Sequence, residues 1–150
     1  MSIDVGSRAP DFTLMNQDRQ PVTLSAQAGR NVVLAFFPAA FTSVCTKELC
    51  TFRDTLSEFN KVNAVVYGVS VDAPEKLKDF AKAERLTFDL LSDAGKDVIR
   101  KYDVVLPPKD IAKRAVYVID GAGTVRYVEV SETPAFEPDY AKVHAALAAL

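Results

Sequence analysis

Short apolar runs alternate with helix-period stripes along this chain, and that alternation predicts an α/β fold. Residues 31–37, NVVLAFF, are β-branched and aromatic and are stopped by Pro38, as a buried strand would be. Cys45, Leu49, Phe52, Leu56 and Phe59 then recur at steps of four and three, which turns one face of a helix toward a core. Thr42 or Ser43 is the natural N-cap, and the helix is expected to run to about residue 60. Residues 64–71, AVVYGVSV, are the next apolar run, so strand, helix and strand read as one βαβ unit with parallel neighbours.

Upstream, 12–15 and 21–24 are strand-like pieces around polar 16–20, which predicts an N-terminal β-hairpin. Downstream, Pro74 opens a helix ending near Arg85, with Leu77, Phe80 and Ala81 inward. Residues 88–91 are extended, and 93–102 read as a third helix with Val98, Ile99 and Tyr102 inward. Pro107-Pro108 speaks against regular structure, so a surface loop is expected over 103–113. Residues 115–119 and 124–130 flank Asp120-Gly-Ala-Gly123, a hairpin signal. A loop over 131–138 precedes a closing helix over 139–150, whose apolar side is Tyr140, Val143, Leu147 and Leu150.

At 150 residues the chain fits one domain, 1–150, without repeats or an internal boundary. A net charge of −2, with both signs interspersed, gives no reason to expect nucleic acid or a membrane as partner. The N-terminal stretch lacks the basic start and apolar core of a signal peptide, which points to the cytoplasm. In a reducing compartment, a chain with only 2 cysteines more often carries redox-active or free thiols than a standing disulfide.

The two cysteines are not equivalent. Cys45 lies at or near the first turn of its helix, where unsatisfied N–H groups and the positive end of the dipole favour a thiolate. Cys50 lies about 140° further round, in the polar stripe Cys50, Asp54, Ser57 and Lys61. On an intact helix their Cα atoms are roughly 8–9 Å apart, outside the range of about 4.4–6.8 Å that a disulfide tolerates. The pair therefore reads as a reactive thiol with a conditional partner. The sole histidine, His144, is remote in sequence and leaves no evident Cys–His hydrolase pair or zinc set. With no phosphate loop or dinucleotide fingerprint either, no metal and no cofactor are implied.

Pro38-x-x-x-Thr42-x-x-Cys45 resembles the active-site signature of peroxiredoxins, the thiol peroxidases of the thioredoxin-like superfamily. The family also expects an arginine just before a late strand, and Arg114 stands so in Arg114-Ala-Val-Tyr-Val-Ile-Asp120. The opening Gly6-Ser-Arg-Ala-Pro10-Asp-Phe12-Thr-Leu14 is typical too, so the resemblance spans nearly the whole chain. It implies a thioredoxin-like fold, with a central mixed sheet flanked by helices and an N-terminal β-hairpin. Cys45-Thr-Lys-Glu-Leu-Cys50 looks like the Q type, whose second cysteine is on the same helix. Residues 112–150 look more like the E type, which often works with a single cysteine.

The resemblance implies a peroxidase acting on hydrogen peroxide and organic hydroperoxides. Cys45 would be the nucleophile that becomes a sulfenic acid, and Arg114 would favour the thiolate and polarise the peroxide. Thr42 and the N–H groups of Val44 and Cys45 would hold the substrate, and Pro38 would shield the thiolate. Glu48 matches an acidic residue that supports the arginine by charge pairing. Cys50 would resolve the sulfenate as an intramolecular disulfide, recycled by thioredoxin or a glutaredoxin-like reductant, in a monomer or homodimer. Two alternatives stand beside this: a one-cysteine peroxidase with Cys50 a spectator, and a redox-sensing or chaperone-like binding protein. A thioredoxin-like oxidoreductase normally wants Cys-x-x-Cys, and here four residues intervene.

Overall fold

A computed structural model of the chain describes residues 3–131, 133 and 135–150. β1 (Thr13–Asn16) and β2 (Pro21–Thr23) form the expected hairpin, and Asn16 Oδ1 accepts from the N–H groups of Asp18 and Gln20 to close its turn. β3 (Asn31–Phe36) is buried from Val32 onward. Where the periodicity predicts one helix to about residue 60, there are two, α1 (Ser43–Asp54) and α2 (Leu56–Lys61). Thr55 parts them. Its φ and ψ of −107° and 11° leave the helical region, while its N–H and its hydroxyl both donate to the Thr51 carbonyl.

β4 (Ala64–Ser70) is followed by α3 (Pro74–Glu84), with Leu77, Phe80 and Ala81 buried as expected. β5 (Leu90–Ser92) leads to α4 (Asp97–Lys101), which begins four residues later than the pattern over 93–102 predicts. The cause is local: Lys96 takes a left-handed φ of 65°, and Asp93 stays outside the helix, its carboxylate accepting from the N–H groups of Val98 and Ile99. The loop expected over 103–113 contains a small ribbon, β6 (Val105–Leu106) paired antiparallel with β7 (Ile111–Ala112). Pro107 and Pro108 occupy its turn, where no ladder bond is asked of them.

β8 (Ala115–Ile119) and β9 (Val125–Val130) make the predicted hairpin, and Asp120 Oδ1 accepts from Ala122 and Thr124 to close it. The described residues of 131–138 carry no helix or strand; 132 and 134 lie outside the described residues. α5 (Tyr140–Ala148) is capped by the Asp139 carboxylate and buries Val143 and Leu147, while Leu150 is exposed. No described helix is long and apolar enough to cross a membrane.

The main sheet runs β2-β1-β5-β4-β3-β8-β9 and is mixed: β3, β4 and β5 are parallel, and the remaining pairings are antiparallel. Alternation along β3 splits the core in two. Val33, Ala35 and Phe37 face the cluster that includes Cys45, Leu49, Phe52 and Phe59, and Val32, Leu34 and Phe36 face the one built on Tyr102 and Tyr117. Gly68 lets the first cluster close over β4, because a Cβ there would lie 2.8 Å from Leu90 Cδ2 and 3.2 Å from Phe37 Cε1. The β3–β8 register pairs Phe36 with Ala115. Arg114 therefore stands beside the C-terminal end of β3, where the chain leaves the sheet for the cysteine helix.

Candidate active site

Between β3 and α1 the chain crosses the top of the sheet through buried Pro38 and a turn at Phe41. Phe41 has φ 64°, a left-handed conformation that costs a residue with a side chain on the order of 1–2 kcal/mol. Its ring packs edge-on against Phe80, with centroids 5.2 Å apart. The N–H of Ala40 donates to Asp72 Oδ2 at 2.8 Å. Thr42 is the N-cap of α1 by backbone conformation, yet its hydroxyl makes no cap bond and instead donates to the Ala39 carbonyl at 2.8 Å. That corrects the expected side-chain cap.

α1 carries Cys45 inward to 1% exposure, with Glu48 on the same face at 0%. Arg114, 2% exposed, meets both: Nη2 donates to Cys45 Sγ at 3.2 Å and Nη1 donates to Glu48 Oε1 at 2.6 Å. Without the motif, Arg114 would read as an ordinary surface arginine. The strand register instead delivers it, buried, to the thiol. Val44 lies in the first turn of α1, where the N–H groups have no partner within the helix. Cys50, half-buried, is on the same unbroken helix, and both cysteines are free thiols.

Burial, the largest influence on Glu48, outweighs the opposing pull of Arg114 and pushes its carboxyl up to about 7. Its second oxygen, Oε2, is buried without a hydrogen-bond partner among the described residues. Burial works against the Arg114 charge as well, but Glu48 and Cys45 together raise its pKa, so the guanidinium stays protonated. Burial also raises the Cys50 thiol; Arg53 opposes this, and Glu84 and Asp54 add to it. His144 plays no part here. It stacks on Phe59 at 4.5 Å, with Nε2 3.8 Å from Glu58 Oε2.

Among the sequence-predicted residues, Cys45, Glu48 and Arg114 are in direct contact, and Pro38, Thr42 and Val44 belong to the segment that delivers Cys45. Cys50 is held apart by the helix. Two surface clefts, of about 130 and 370 Å3, lie elsewhere and are lined by none of these residues. No three His, Cys, Asp or Glu side chains converge as a metal site among the described residues. Asp72 was not legible as part of this region from motif or period. The available signal was its place at the C-terminal ends of the parallel strands, where α/β sheets build their sites.

A buried thiol bonded to a buried arginine at a helix N-terminus is the arrangement the peroxiredoxin resemblance implies. Residues 5–128 match the AhpC/TSA family. The chain belongs to that family. It is 40% identical over 141 residues to a chloroplastic peroxiredoxin Q of Oryza sativa subsp. japonica, covering 91% of this chain and 62% of the rice protein. The chain thus spans less than two thirds of that relative. It is also 40% identical over 133 residues to alkyl hydroperoxide reductase E of Mycobacterium tuberculosis, a match covering 87% of each. The crystal structure of peroxidoxin BcpB from Mycobacterium tuberculosis superposes with a TM-score of 0.88 at 38% identity, covering 99% of this chain and 98% of that one. The mixed α/β fold expected from the resemblance is borne out, as is the kinship with both Q-type and E-type relatives.

Proposed function

We propose that this AhpC/TSA family member is a thiol-dependent peroxidase reducing hydrogen peroxide and organic hydroperoxides at Cys45. The observation that carries this reading is the Arg114 bridge, with one guanidinium nitrogen on the Cys45 sulfur and another on Glu48. The Cys45 thiolate attacks the terminal oxygen of the hydroperoxide, an S–O bond forms, and the O–O bond breaks. The departing alkoxide or hydroxide takes a proton from water, leaving an alcohol or water and a Cys45 sulfenic acid.

Arg114 donates to the Cys45 sulfur and meets the negative charge that grows on the breaking O–O bond. Glu48 holds Arg114 in place. The hydrogen of the Thr42 hydroxyl is committed to Ala39, so its oxygen acts as an acceptor and takes the O–H of the incoming hydroperoxide. The N–H groups of Val44 and Cys45 donate to the oxygens, and Pro38 keeps water off the sulfur.

Cys50 resolves the sulfenate only if the first turns of α1 unwind, since the intact helix keeps the Cα atoms roughly 8–9 Å apart. The resulting disulfide is reduced by thioredoxin or a glutaredoxin-like protein. The one-cysteine cycle is the second reading, favoured by the unbroken helix and by the burial that raises the Cys50 thiol. Residues 1–150 act as one domain, as a monomer or homodimer, and the free thiols suit the reducing cytoplasm. Steady-state peroxide consumption with a thioredoxin system, wild type against Cys45→Ser, tests the assignment. Turnover that depends on Cys45 supports it, and turnover that survives the substitution rejects it.

A further inference from the structure

We infer that Asp72 is a positioning residue for the peroxide reaction, acting through a single peptide plane on the Thr42 hydroxyl. The inference rests on the peroxidase reading above. The N–H of Ala40 and the C=O of Ala39 are the two ends of one planar peptide unit. Asp72 Oδ2 accepts from the N–H end at 2.8 Å, and the C=O end accepts from Thr42 Oγ1 at 2.8 Å. A carboxylate at one end polarises the unit and strengthens the acceptor at the other. Because the plane is rigid, the position of Asp72 sets the direction of the Thr42 O–H. That direction decides which way the oxygen's lone pairs face.

Asp72 is well placed for this. It lies at the end of β4, with a side chain only 9% exposed. Oδ2 also accepts from the buried Ser70 hydroxyl at 2.8 Å, Oδ1 pairs with Lys76 Nζ at 3.1 Å, and its own carbonyl accepts from Ser92 Oγ at 2.6 Å. It is therefore tied to β4, β5 and α3 before it reaches the loop. The loop needs such a tie. Phe41, between the peptide plane and Thr42, is held at φ 64°, and a strained residue persists only where its surroundings over-determine it. With Asp72 removed, the 39–40 peptide is free to rotate, and the Thr42 hydrogen is free to turn toward the substrate site, where it would compete with the hydroperoxide's own O–H.

The test separates peroxide chemistry from the general reactivity of Cys45. Rates of modification of the Cys45 peptide by hydrogen peroxide and by iodoacetamide are measured by mass spectrometry in the whole chain. The variants are Asp72→Ala, Asp72→Asn, Thr42→Val and the Asp72→Ala/Thr42→Val double. Asp72→Ala should slow the peroxide reaction roughly tenfold or more and leave alkylation within about twofold, because only peroxide needs the oriented acceptor. Asp72→Asn keeps an oxygen for Ala40 and should restore the peroxide rate to within about threefold of wild type. In the Thr42→Val background, Asp72→Ala should add no further loss. If Asp72→Ala does not fold, Asp72→Glu, which displaces the oxygens, should show the same selective loss.

Equal losses toward both reagents, an undiminished loss in the Thr42→Val background, or no loss at all would each overturn the role. A wild-type Cys45 inert to hydrogen peroxide would overturn the peroxidase reading itself, and the role with it.

Discussion

The two cysteines share one helix and almost nothing else. Cys45 is buried at the end of α1 that points its free N–H groups into the site, bonded to an arginine that a distant strand supplies. Cys50 is half-buried one and a half turns later among Arg53, Asp54 and Glu84, in surroundings that on balance hold its thiol protonated. On the peroxidase reading proposed above, reactivity is a property of position: equal sulfur chemistry becomes unequal because one residue sits at the top of the sheet and the other on the flank of a helix.

The largest break in this contrast should come from Arg114→Ala. Losing a buried cationic donor aimed at developing charge should cut the rate of Cys45 sulfenate formation by about 100- to 1,000-fold, read by stopped-flow mixing with hydrogen peroxide. Cys45 would then lack its main advantage over Cys50. A rate within tenfold of wild type would remove Arg114 from the chemistry.

A smaller effect is expected from Cys50→Ser. Steady-state turnover with thioredoxin should fall several-fold, and a trappable sulfenate should persist on Cys45. Unchanged turnover would favour the one-cysteine cycle.

The smallest effect concerns Glu48, and it sharpens what supports Cys45. Its folded value near 7 lies above the 4.5 it carries when unfolded, so the folded chain holds a proton that the unfolded chain has released across that window. Its contribution to stability is complete below about 4.5 and is lost as pH rises through about 7. Glu48→Gln should flatten the fall in Tm between those values. An unaltered slope would show that Glu48 stays ionised throughout.

What the sequence revealed about these neighbourhoods differed for physical reasons. The inward face of α1 was plain because Cys45, Leu49 and Phe52 repeat at helical spacing and are buried together. Glu48 was expected to support Arg114 on resemblance alone, and its full burial was hidden by its charge. The signal was present, since i+3 from Cys45 lies on the buried face. Arg114 is 69 residues from Cys45, and no local pattern reports a contact made by the β3–β8 register. The break at Thr55 is a local backbone departure that leaves the apolar period intact on both sides, and the β6–β7 ribbon places its prolines in a turn where breaker rules do not apply, so neither is visible in the pattern. Asp72 was missed because its role runs through backbone bonds, which side-chain patterns do not encode.

The contrast between the two thiols is tested most directly by mapping where peroxide reacts. Wild-type protein is treated with one equivalent of hydrogen peroxide in the presence of a sulfenate-specific trap, digested and sequenced by mass spectrometry. Trap adduct on the Cys45 peptide, or a Cys45–Cys50 disulfide formed in its place, with no adduct on the Cys50 peptide, is the predicted result. Adduct on Cys50, or on neither cysteine while both remain reduced, would contradict it.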